Sequence, residues 1–298
     1  YQPFLGGVMK RLCNPLLYTL LIFISACAGS GDAPPGPFVA EQSTYYDGVT
    51  YHRYYRYAGL KLGYATSLDG IHFEKYLGNP IMEDAAYPVL VQNGSDIYLI
   101  VRQHSTGKYF LYDVSVPASP TIANDGKPIL VGDYCNVAAV VVGGTWHMLV
   151  EGHDSDYFFL MHSWAVFPDL DFTANLGPVV VPDAGNPTMT YIPERGAILS
   201  LYGADYRATG VWRVRAATFD FNSWTVQRFV LARTGIHIAD PDLGVGIEPN
   251  PLILTVGSNQ NAVSTYLFKG SKLDLYDAIL TGQVELEEAP DNPTMTAE

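Results

Sequence analysis

Polar residues recur at matched points along this chain, and several of them carry charge. Glu41, Tyr87, Asn136, Asn186 and Asp240 each open a segment of one form: a polar residue, a short apolar stretch, a turn, then a second apolar or aromatic stretch. Three positions before four of them stand Asp84, Asp133, Asp183 and His237. Eight residues past the turn glycine come Arg56, Arg102 and Glu151, with Tyr202 and Gly257 at the matching places. Polar groups that return at strand ends imply one shared polar pocket, because an isolated buried charge is costly. Carboxyl groups in such a pocket can trade protons. Arg56 and Arg102 could clamp a phosphate or carboxylate through paired hydrogen bonds, or could pair with Glu151 or the aspartates.

The elements that bring these residues together follow from the spacing. The five segments start 46, 49, 50 and 54 residues apart, the size of one four-stranded propeller blade. Asp47-Gly48, Asn93-Gly94 and Gly143-Gly144 supply the positive φ that tight hairpins need. The expectation is an all-β chain folded as a five-bladed β-propeller over residues 38–284. Its inner strands would run beside a central channel, and their first residues would ring one mouth. A β-sandwich is the alternative, but it does not predict five recurrences near 50 residues. Tyr45, Tyr46, Tyr54, Tyr55 and Tyr57 crowd the first blade, either to pack it or to stack on a ligand. Helical periodicity is confined to the N-terminal leader and to residues 272–279. The acidic, Pro-containing segment 285–298 is expected to be disordered.

Composition narrows the partners. Among 298 residues, 30 are acidic and 17 basic, a formal charge of −13. An acidic surface repels phosphate backbones and argues against nucleic acid. Met9-Lys10-Arg11 followed by an apolar run over 16–24 reads as an export signal, too short for a membrane span. The run ends in Ile24-Ser25-Ala26-Cys27, which resembles a bacterial lipobox. That resemblance implies cleavage after residue 26 and lipidation of Cys27, with residues 27–37 as a Gly/Pro/Ser tether. Ala28 after the cysteine suits the outer membrane or cell surface. A monomer is expected.

Short phrases carry a second resemblance. Gly63-Tyr64-Ala65-Thr66-Ser67-Leu68-Asp69-Gly70-Ile71-His72-Phe73 resembles a blade ending of the five-bladed glycosidase propellers, which include arabinanases, xylosidases, invertase-like enzymes and β-mannoside phosphorylases. Asp240-Pro241 resembles the Asp-Pro that opens an inner strand there, and Glu151-Gly152 resembles the motif of the acid. The resemblance implies glycosidic bond cleavage of an oligosaccharide or polysaccharide by carboxylates facing each other across the channel mouth. Glu151 would be the acid, Glu41 or Asp240 the base, and Asp84 the group that tunes the acid. Arg56, Arg102, Tyr87, Asn136, Asn186 and Tyr202 would contact substrate. His237 would stand beside a channel cation, with a structural calcium as the implied ion. The sequence departs from the family pattern at Tyr87, Asn136 and Asn186, where carboxylates are usual. A glycan-binding propeller that has lost catalysis is therefore the second expectation.

Overall fold

In a computed structural model the described residues are 40–296, apart from 58, 59, 155, 156, 234, 235, 259–261 and 293. Their strands form five separate antiparallel sheets that follow one another along the chain, each ordered from an inner strand outward. This is a five-bladed β-propeller. The inner strands are Ala40–Tyr46, Ala85–Asn93, Val137–Val142, Ala184–Ile192 and Ile238–Asp242. Cys27 and the leader lie outside the described residues. Among the described residues no helix is long and apolar enough to cross a membrane.

Strand alternation explains the packing. Successive side chains point to opposite faces of a sheet, so each blade offers one apolar face to each neighbour. Five apolar clusters result, one per blade interface. Tyr54 packs against blade two and Tyr55 against blade five, both fully buried. The tyrosines of blade one thus build its interfaces. The 272–279 periodicity corresponds to a helix, Lys272–Thr281, opened by a Ser271/Asp274 capping box and ended by Gly282 in the left-handed region.

The ring closes without a strand shared between the first and last sheets' hairpins. Instead Val245–Gly246, just past the inner strand of blade five, runs parallel to Tyr45–Tyr46 of blade one. The segment from Glu285 corrects the expectation of a disordered tail. Glu287–Glu288 and Met295–Thr296 both pair with the strand Ala262–Phe268, and Met295 is buried against Tyr55. An acidic composition predicts solvation, but buried Ala289 and Met295, with hydrogen bonds from Asn292 and Thr294 to Thr265 and Val263, dock the segment as the outer edge of blade five.

Candidate active site

The residues that open the inner strands share a backbone device. Glu41, Tyr87, Asn186 and Asp240 have φ of 53°, 55°, 50° and 48°. Each lies where strand pairing skips, between Ala40 and Ser43, Ala86 and Val89, Gly185 and Thr188, and Ala239 and Asp242. A bulge of this kind turns a side chain out of the sheet's alternation, here toward the axis. A non-glycine residue in this region costs roughly 1–3 kcal/mol, and such strain gathers at functional sites. Proline follows in three of the four cases, at Pro88, Pro187 and Pro241. Lacking an N–H, proline fits a bulge where no ladder bond is formed. Blade three differs: its pairing is regular from Val137 opposite Val150, and its carboxylate comes from the second strand, as Glu151.

Three carboxyl groups from blades one, three and five gather at the same end of the channel. Glu41 Oε1 accepts a 2.7 Å hydrogen bond from Arg56 Nη1, while its buried Oε2 makes none. Glu151 is 3% exposed, and its Oε2 accepts from Asn136 Nδ2 at 3.1 Å and from the backbone N–H of Asn186. The Asn136 and Asn186 side chains also bond each other. Asp240 is held through its backbone, whose carbonyl accepts from Gln42 Nε2 at 2.7 Å. Two glycines make room for these acids. A Cβ on Gly257 would lie 2.7 Å from Asp240 Oδ2, and one on Gly185 would lie 3.0 Å from Glu151 Oε2. Glu41 and Asp240 line a pocket in the channel together with Asn136 and Asn186, and it extends to Asp242.

The electrostatics separate the three acids. Burial pushes Asp240 up to about 8, helped by the negative fields of Glu41 and Glu151. Burial pushes Glu151 up to about 7, against the hydrogen bonds from Asn186 and Asn136 and with the field of Glu41. Burial also raises Glu41, but the Arg56 guanidinium in contact opposes it. Of the three, Glu41 is the one in contact with a cation. Its charge then helps Glu151 and Asp240 keep their protons.

Two cationic side chains stand beside this cluster. Arg56 and Arg102 are both buried and flank the Tyr87 ring at 5.7 and 5.8 Å, within cation–π range. Tyr87 itself is 2% exposed. Arg102 Nη2 meets Asp133 at 3.4 Å, and Asp133 also faces His153 at 3.6 Å.

Three expected site residues stand elsewhere. Asp84 accepts from the backbone N–H of Ser105 at 2.8 Å and from its hydroxyl, so it pins a loop. Tyr202 is buried in the interface of blades three and four, packed as core. His237 lies beside Tyr206, with ring centroids 6.0 Å apart, and burial lowers it. Among the described residues no group of three His, Cys, Asp or Glu is placed to hold a metal ion. The sequence reading overlooked Gly185 and Gln42. It also passed over the Tyr-Pro, Asn-Pro and Asp-Pro steps as bulge signals, although they were legible.

No family model and no curated protein matches this sequence. Solved structures do resemble the fold. A thermostable family-43 glycoside hydrolase superposes with a TM-score of 0.63 at 10% identity, over 90% of this chain and 97% of that one. The fold is that of the five-bladed glycoside hydrolases. A family-43 endo-arabinanase from Bacillus licheniformis gives 0.53 at 12% identity, covering 87% and 95% of the two chains. The α-L-arabinofuranosidase PaAbf62A from Podospora anserina, solved with cellotriose, gives 0.52 at 16%, covering 76% and 86%. The chain keeps the overall frame of such proteins while sharing few of their residues.

Proposed function

We propose that the protein is a glycosidase acting on oligosaccharides or polysaccharides outside the cytoplasm. The observation that supports this reading is the cluster of buried Glu151 and half-buried Glu41 and Asp240, three acids from blades three, one and five, with the field of Glu41 raising the other two. Glu151, pushed up to about 7, holds a proton at neutral pH and gives it to the departing glycosidic oxygen. Glu41, the acid in contact with Arg56, takes a proton from the water that attacks the anomeric carbon. The glycosidic bond breaks, the new carbon–oxygen bond forms from water, and the proton balance closes between the two carboxyls. Asp240, pushed up to about 8 by burial and by the fields of Glu41 and Glu151, is the other candidate for the base. Release of reducing ends from plant and microbial oligosaccharides is the deciding assay, and a panel of linkages that yields none counts against the reading.

One observation favours a second reading, a glycan-binding propeller that has lost catalysis. Tyr87 and two asparagines stand where the resembled family carries carboxylates, and the Tyr87 ring is buried between Arg56 and Arg102. Saturable binding on a glycan array without product release selects this alternative.

The lipobox-like Ile24-Ser25-Ala26-Cys27 supports anchoring through a lipidated Cys27 at the outer membrane or cell surface, with the propeller acting as a monomer on its tether. Expression in a bacterial host should send the protein to the detergent phase, and Cys27→Ser should release it.

A further inference from the structure

Each of the three acids at the channel is met by the backbone of the next blade round the ring. The N–H of Asn186, which opens blade four, donates to the carboxyl of Glu151 in blade three. The N–H of Tyr87, which opens blade two, serves the carboxyl of Glu41 in blade one. The N–H of Glu41 in turn serves the carboxyl of Asp240 in blade five, across the join between the last blade and the first. Gln42 grips the same residue, its Nε2 donating to the Asp240 carbonyl at 2.7 Å.

The three donors stand at equivalent places. They are bulge residues with φ of 53°, 55° and 50°, and strand pairing skips each of them together with the residue that follows. A skipped pair has two N–H groups to satisfy, and a buried N–H needs a partner. After Tyr87 and Asn186 the second residue is a proline, Pro88 or Pro187, which has no N–H. One donor remains, and the left-handed turn delivers it to the acid of the preceding blade. A regular strand aims its N–H groups sideways, within its own sheet. The fourth bulge, at Asp240, follows blade four, where Asn186 stands at the ring position in place of an acid.

We propose that these bulge amides are the positioning groups of the site: Tyr87 holds the carboxyl of Glu41, Asn186 that of Glu151, and Glu41 that of Asp240, so that each acid is fixed by the blade after its own. A neutral N–H orients a carboxyl and favours its charged form. The strained backbone at these residues is what aims an amide across a blade joint. On Glu151 the bonds from Asn186 and Asn136 both fall on Oε2, which leaves Oε1 to carry the proton. That consequence rests on the glycosidase reading, in which Oε1 gives its proton to the departing oxygen. The pairing of amides with acids does not rest on it.

The test is a pH titration of the whole isotope-labelled protein by NMR, with the three amides assigned. A carboxyl that ionises draws its bonded N–H downfield. The Asn186 amide should step near pH 7 with Glu151, and the Glu41 amide near pH 8 with Asp240. The Tyr87 amide should step with Glu41, above that group's ordinary value of 4.5. In Glu151→Gln the Asn186 step should vanish while the other two persist. In Asp240→Asn the Glu41 step near 8 should vanish while those of Asn186 and Tyr87 persist. An Asn186 amide that keeps its step in Glu151→Gln, or a Glu41 amide that keeps its step in Asp240→Asn, overturns the proposal. So does the loss of all three steps from a variant that circular dichroism shows to be folded. Should one variant fail to fold, the other decides. No sugar enters the measurement, so a protein that cleaves no glycan leaves this result standing, and a cleaving protein with unpaired amides overturns this inference alone.

Discussion

The backbone N–H of Asn186 donates to the Glu151 carboxylate across the boundary between blades three and four. Asn136 Nδ2 donates to the same oxygen at 3.1 Å. These are neutral donors, so they orient the carboxyl without cancelling its charge, and burial prevails in setting its proton affinity. Glu41 meets the opposite condition, with Arg56 at 2.7 Å. Burial raises both carboxyls, and of the two Glu41 has the contacting cation that opposes it.

Glu151→Gln keeps an oxygen for the two amide donors but has no proton to give. Its rate of reducing-sugar release should fall by roughly 10²–10⁴-fold, with an unchanged far-UV circular dichroism spectrum. A second readout follows from linkage. An acid whose folded pKa is raised binds more protons folded than unfolded, so it costs stability as pH climbs from about 4.5 to about 7. The variant should therefore melt higher than the wild type at pH 8 and show little gain at pH 4. Full activity, or a Tm gain independent of pH, removes Glu151 from the role of acid.

The pH–rate profile should be a bell. Activity falls on the alkaline side as Glu151 loses its proton near 7, and on the acid side as Glu41 gains one, at a pH above its ordinary value because burial raises it. Initial rates between pH 3 and 10 measure both limbs. In Arg56→Met the Glu41 carboxyl loses its cation and binds its proton more tightly, so the acid limb should move to higher pH, and an unmoved acid limb in that variant contradicts the assigned base.

Gly257→Ala places a methyl group 2.7 Å from Asp240 Oδ2. Gly257 has no positive φ to complicate the result, so the cost is the contact itself. Overpacking of this kind costs roughly 1–3 kcal/mol. Denaturant melts should show that loss, and activity should fall with it because Asp240 is displaced beside Glu41. Gly143→Ala is the control: no atom approaches its Cβ within 4 Å, although its φ of 57° carries a backbone cost. A Gly257→Ala protein as stable and active as wild type would show that the carboxyl can move aside freely.

Much of the frame was legible in the chain itself. Segment spacing near 50 residues, hairpin glycines and strand-start polar residues together require five blades, because alternation along a strand and the size of a four-stranded sheet are local properties. The same spacing identified Glu41, Glu151 and Asp240, and Arg56 and Arg102, as neighbours. Asp84 and Tyr202 show where that reasoning fails. Both occupy the repeat positions that predict a site, yet Asp84 is captured by Ser105 and Tyr202 by the core between two blades. Repeat position fixes where a Cα lies, and the contacts available there decide where the side chain goes.

What the sequence by itself determined is therefore the repeat, the closed ring that follows from it, and the list of acids able to reach its axis. The tertiary structure alone decided which acid holds a proton, which glycines admit the carboxyls, and that the acidic C-terminal segment docks on blade five. The physical reason is that proton affinity and close packing depend on distances of a few ångströms between residues tens or hundreds of positions apart. No local pattern in the chain encodes those distances until the blades have closed around the channel.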